Sequence, residues 1–110
     1  MVELVERTGV DEPVVQIVLA GGGEPSRLTL RGSVDVRSAS ELRRAAMELA
    51  ECGHDVVVSC EGVVRIDVSA LQVLIALDRE LRRRTQRLDL IDVPPSIASL
   101  LSLGGLEDRA

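Results

Sequence analysis

The 110-residue chain contains no Phe, Trp or Tyr, a single His and only two Cys. Without aromatic rings it has no platform on which nucleobases stack. It also lacks an excess of positive charge. Thirteen basic residues stand against eighteen acidic ones, a formal net charge of −5, so no basic stripe marks a nucleic-acid footprint. Cys52 and Cys60 are eight residues apart with His54 as their only companion. That spacing fits neither a disulfide framework nor a metal set, and both thiols read as small packing groups. No run approaches the ~20 apolar residues of a membrane span. Glu3 and Glu6 interrupt any leader-like apolar core, so a cytoplasmic location without membrane insertion is expected. Asp35, Asp67, His54 and Cys60 form the best catalytic set on offer. They supply no base and nucleophile at a recognised spacing, so neither an enzyme nor a cofactor is expected.

What is present is aliphatic and alternating. Hydrophobic residues make up 45% and charged residues 28% of the chain, a globular balance, and its length suits one domain over residues 1–110. "VVQIVLA" (14–20) and "RLTLRG" (27–32) are two short strands joined by "GGGEPS". A second strand rather than a helix follows the glycines, so a hairpin loop is expected there and not a phosphate cradle. "SASELRRAAMELAECG" (38–53) predicts a helix. Ser38 and Glu41 are spaced as a capping box, Leu42, Ala45, Ala46 and Leu49 form one apolar face, and Gly53 suits the stop. "HDVVVSC" (54–60) is a nearly unbroken apolar run, as in a central strand.

The stretch "VVRIDVSALQVLIAL" (63–77) comes next. Its helix is apolar from Ala70 to Leu77 except at Gln72, which predicts burial all round or cover by a partner. Beyond it, Asp78 with Arg82 and Glu80 with Arg84 are acid-first pairs four residues apart. This favours a solvated face over a basic binding patch. "RLDLIDV" (87–93) predicts a further strand. "PPSIASLLSLGGL" (94–106) predicts a helix opened by proline and closed by glycine, with Ile97, Leu100 and Leu101 facing inward. Leu42, Val57, Leu74 and Leu100 are expected to lie deep in the core. The order β-β-α-β-α-β-α implies an α/β domain with a mixed sheet of four to five strands. Right-handed crossovers place its helices mainly on one side.

Four segments together resemble the STAS domain family, the anti-sigma-factor antagonists and their relatives. They are "LRGSVD" (30–35), "VVVSCEGVVRID" (56–67), "DVSALQVL" (67–74) and "VPPSIASLLSLGGL" (93–106). The resemblance implies a non-catalytic module that docks other proteins. Serine kinases of the anti-sigma type are the first partners it suggests. The ATPase of a lipid-transport ABC complex and chemotaxis proteins are alternatives, as is a small nucleotide or lipid, for which "GGGEPS" and "GSVDVRS" are the only support. It also implies a docking surface over the Asp35–Ser38 loop, the 67–72 turn and the exposed flank of the following helix, with Asp35 and Asp67 at its polar rim and Val68, Leu71 and Gln72 near its apolar centre. In the family, a kinase phosphorylates the hydroxyl residue directly after the aspartate, at a helix N-terminus that tolerates an anion. Here that residue is Val68. Ser69, one step on and turned by roughly 100°, is the remaining hydroxyl; capping or packing is expected of it before phosphorylation.

Overall fold

The computed structural model describes residues 13–106. The expectation of a leader-free N-terminus, and the ends of the 1–110 domain, lie outside those residues. Four strands lie in chain order, β1 (Val15–Val18), β2 (Ser26–Val34), β3 (Val56–Ile66) and β4 (Leu88–Ile91). The helices are α1 (Ala39–Cys52), α2 (Val68–Arg83) and α3 (Pro95–Leu103). β1 pairs antiparallel with β2, whereas β2–β3 and β3–β4 are parallel. The sheet is therefore mixed and four-stranded, opened by the expected hairpin.

Strand alternation decides where the core sits. Val15, Leu28, Leu30, Val56, Val58, Cys60, Leu88 and Leu90 are buried on one face. They form a single cluster with Leu42 and Leu49 of α1, Leu74, Leu77 and Leu81 of α2, and Ile97, Leu101 and Leu106 of the C-terminal segment. Between these positions Gln16, Val18 and Arg27 are exposed, while Thr29, Val57, Asp89 and Ile91 are half-buried. Val57 thus belongs to the second sheet face, not to the deep core as expected. Leu42 and Leu74 are fully buried as the helical spacing predicts.

Three local expectations change. Strand β3 runs to Ile66, well past Cys60. Glu61 and Gly62 conceal the strand in the sequence, yet β2 continues beside it to Val34 through two register irregularities. A Cβ on Gly62 would lie 3.4 Å from Arg31 Cγ, so the glycine leaves room for that neighbour. Ser38 makes no capping hydrogen bond. Side-chain capping needs an extended backbone, and Ser38, ending a 3-10 turn at Val36–Ser38, is already helical at φ −98° and ψ −3°. Asp35, extended, caps that turn instead, accepting from the Arg37 N–H at 3.0 Å. Leu100 is 38% exposed. The inner face of α3 consists of Ile97 and Leu101, and Leu106 beyond the helix completes it.

Helix α2 is amphipathic rather than buried all round. Ala70, Val73, Leu74 and Leu77 face the core, Leu71 and Ile75 are half-buried, and Gln72 and Ala76 are exposed. Gly104 lies against Leu71 and Ile75 so closely that a Cβ there would come within 2.9 Å of Ile75 Cδ1. That glycine lets the end of α3 settle on one flank of α2. Arg82, Arg83, Arg84 and Arg87 pair with Asp78, Glu80, Glu80 and Asp89, so three carboxylates offset most of the basic run at and beyond the end of α2. None of the helices among the described residues is long and apolar enough to cross a membrane.

Candidate functional site

The adjacent parallel strands β2 and β3 end in matching sequences, Val34-Asp35-Val36 and Ile66-Asp67-Val68. Val34 and Ile66 are partners in the ladder, and the Asp67 N–H donates to the Val34 carbonyl at 3.1 Å. The two aspartates therefore leave the sheet side by side. Each has an extended backbone and each caps the next element, Asp35 the 3-10 turn and Asp67 helix α2. Apolar residues end each strand and an aspartate turns the chain, which is why the sequence folds this way at both ends.

At Asp67, Oδ1 accepts from the Ala70 N–H at 3.2 Å and from the Ser69 hydroxyl at 2.7 Å. The Ser69 hydroxyl above all, then the Ala70 N–H, hold the Asp67 carboxyl below its ordinary value of 3.8, against opposing desolvation. The nearby Val36 N–H adds to this, and the charge of Asp35 works against it. Asp35 is lowered as well, first by its hydrogen bond with the Arg37 guanidinium, which reaches Oδ2 at 2.9 Å. Two carboxylates thus stand ionised at one edge of the molecule, each stabilised by donors from its own turn.

Apolar groups flank them. Val68, the first residue of α2, is 64% exposed, and Val36 is 69% exposed. Neither is required by the core. Of the residues read from the sequence, Asp35, Asp67 and Val68 meet at this edge. Ser69 is half-buried and, with the exposed Gln72, turns toward α1, where both line a groove. Leu71 is half-buried and packs toward Gly104 on the other flank. The six residues therefore divide among an edge, a groove and a helix seam. Val36 and Arg37 lie in the Asp35–Ser38 loop expected to belong to the docking surface, although neither was singled out there; for Val36 the repeated hydrophobic-Asp-Val pattern was the available signal. Among the described residues no group of three or more His, Cys, Asp or Glu is arranged to hold a metal ion.

Residues 17–108 match the family profile described as "Mlab, STAS domain". None of the curated proteins matches the chain by sequence. In fold the chain is similar to the anti-sigma factor antagonist SpoIIAA in its unphosphorylated form, with a TM-score of 0.71 and 18% identity over 87% of this chain and 88% of that one. It is similar to the Bacillus cell fate determinant SpoIIAA in the phosphorylated form, with a TM-score of 0.70 and 19% identity over 84% of each chain. It also resembles part of the murine anion transporter Slc26a9, at a TM-score of 0.64 and 14% identity, over 78% of this chain and 14% of that one. At these identities the structural likeness speaks to fold alone.

Proposed function

This chain belongs to the STAS domain family, and from that premise we propose that it is a non-catalytic docking module for a signalling protein, first of all a serine kinase of the anti-sigma type. The observation that carries the reading is Val68, a β-branched hydrocarbon left 64% exposed at the start of α2. Full burial of a valine side chain is worth about 1.5–3 kcal/mol, and a partner supplies that cover. Val36 widens the apolar centre, and the ionised Asp35 and Asp67 form its polar rim. Leu71, Ser69 and Gln72 continue the surface down the two flanks of α2 in this reading.

The docking is constitutive. Val68 has no hydroxyl to receive a phosphate. Ser69 has one, but it already donates to Asp67 at 2.7 Å. A phosphate on Ser69 would set about −2 charges against that carboxylate. Control therefore rests with the abundance of the protein or with its partner.

The test is incubation with a serine kinase of the anti-sigma type and ATP, followed by intact mass and a binding measurement. A complex should form while the mass stays unchanged. Val68→Asp, which places an unpaired charge in a desolvated contact, should weaken that complex roughly tenfold or more. Gain of one phosphate at Ser69 with loss of the complex would overturn the reading. A switchless docking edge also favours a second reading, a subunit held permanently on the ATPase of a lipid-transport ABC complex. Co-purification with such an ATPase, through the same Val68 edge, distinguishes the two.

A further inference from the structure

A groove of about 500 Å³ runs between α1 and α2. Buried Ala46, Ala50, Val73 and Leu77 form its floor, and exposed Met47 and Ala76 its walls. Both helices return from the ends of adjacent parallel strands, so they run side by side in the same direction. Arg84 ties their C-terminal ends together, its Nη1 donating to the Ala50 carbonyl at 3.0 Å. Arg43 and Ser69 consequently lie at the N-terminal end of the groove, and Glu51 and Glu80 at the other.

The charges along this groove are not equivalent. Glu80 is shared between Arg84 and Arg83. Arg43 and Glu51 are exposed, and among the described residues neither has a hydrogen-bond or ion-pair partner. They are eight residues apart on α1, which at 1.5 Å per residue separates them by about 12 Å. The apolar trough therefore carries an unpaired cation, Arg43, at one end and an unpaired carboxylate, Glu51, at the other. Its alanines keep the floor shallow-walled, so a third helix can lay a ridge of side chains between the two. Nothing in the core demands that these two charges stand where they do.

We propose that the α1/α2 groove docks an amphipathic helix of a partner protein, with an acidic residue at the Arg43 end and a basic residue about two turns away at the Glu51 end. This is the helix-in-groove mode of recognition, in which an apolar stripe gives affinity and terminal charges set register. The groove adjoins the Val68 edge through Ser69 and Gln72 but is not lined by Val68 itself, and its occupant need not belong to the protein that covers that edge.

The absence of Phe, Trp and Tyr from the chain makes tryptophan fluorescence of a bound peptide a clean readout. The probes are three synthetic helical peptides of about 15 residues, long enough to hold a helix once bound. Each carries one Trp in a leucine stripe, and two charged positions eight apart are Glu/Lys, Glu/Glu or Lys/Lys. The wild-type chain should bind the Glu/Lys peptide best, with a loss of roughly threefold or more for each mismatched charge. Glu51→Lys should move the preference to Glu/Glu, and Arg43→Glu should move it to Lys/Lys. Ala76→Arg, an exposed change that fills the trough, should abolish binding of all three. Unchanged thermal unfolding of each variant establishes that the fold is intact. Equal binding of the three peptides, binding that survives Ala76→Arg, or no binding by any peptide would overturn the proposal. No kinase enters this assay, so its outcome is read independently of the docking edge.

Discussion

The hydroxyl of Ser69 and the carboxylate of Asp67 are hydrogen-bonded at 2.7 Å, and the oxygen that accepts this proton also caps α2 through the Ala70 N–H. One carboxylate oxygen thereby holds the start of the helix and occupies the one hydroxyl in the turn. The consequence is testable through the free protein. Asp67→Ala should lower the unfolding midpoint, because the helix loses its cap. Asp67→Asn, which retains a capping oxygen, should lower it less. Equal midpoints for the alanine variant and wild type in thermal unfolding would show that the cap contributes nothing.

Asp67 also makes stability depend on pH. Its carboxyl is held below the ordinary value of 3.8, first by Ser69 and then by the Ala70 N–H. A carboxylate with a depressed folded-state value binds fewer protons in the native state than in the unfolded one. Its contribution is therefore complete above the unfolded value and is lost as pH falls below about 3.8 through the folded value. Asp35 has the same sign, through Arg37. In urea titrations, Asp67→Asn should flatten the acid limb of the stability profile and leave the neutral plateau with a uniform offset. An acid limb as steep as that of wild type would count against this assignment.

Leu74 and Leu100 are both leucines on apolar helix stretches, yet one is fully buried and the other is 38% exposed. Leu74→Ala should cost about 2–5 kcal/mol, the lost transfer energy plus the cavity it leaves. Leu100→Ala should stay within about 0.5 kcal/mol, as surface substitutions do. Denaturant unfolding of the pair checks the inner face of α3 directly. A large loss at Leu100 would return that residue to the core.

Thr85 follows the last turn of α2 with a positive φ of 64°. The Gln86 N–H returns to the Leu81 carbonyl at 2.7 Å and the Thr85 N–H to Arg82 at 3.0 Å, the paired bonds of a Schellman ending. Helix α3 closes with the same bonds, from Leu106 to Leu101 and from Gly105 to Ser102, but with Gly105 at φ 89° in the left-handed position. Threonine carries a steric cost there that glycine does not. After the greater unfolded-state freedom of glycine is subtracted, Thr85→Gly should stabilise the protein by about 0.5–1 kcal/mol. A higher denaturation midpoint with an unchanged slope is the expected result.

Much of this fold was legible in local patterns because local chemistry produces it. The apolar face Leu42-Ala45-Ala46-Leu49, the Asp67 cap and the alternation of Leu88 and Leu90 each depend on residues a few positions apart. The same is true of the hairpin and of the order of elements, so the α/β class followed from the sequence. Only the tertiary structure decided what depends on distant neighbours. β3 reaches Ile66 because β2 runs beside it. Ser38 gives up the cap because the preceding turn has already placed it in helical conformation. Leu106, rather than Leu100, closes the core because the Gly104 approach to Ile75 sets the seat of α3. The groove charges Arg43 and Glu51 look like any solvated residues of α1 in the sequence. They face a common trough only because α1 and α2 pack side by side on the shared core, with the Arg84 contact to Ala50 joining their ends across 34 residues of chain. Periodicity reports which face of an element is apolar; which apolar residues are covered, and what the uncovered ones stand beside, is set by packing between elements that the chain brings together from far apart.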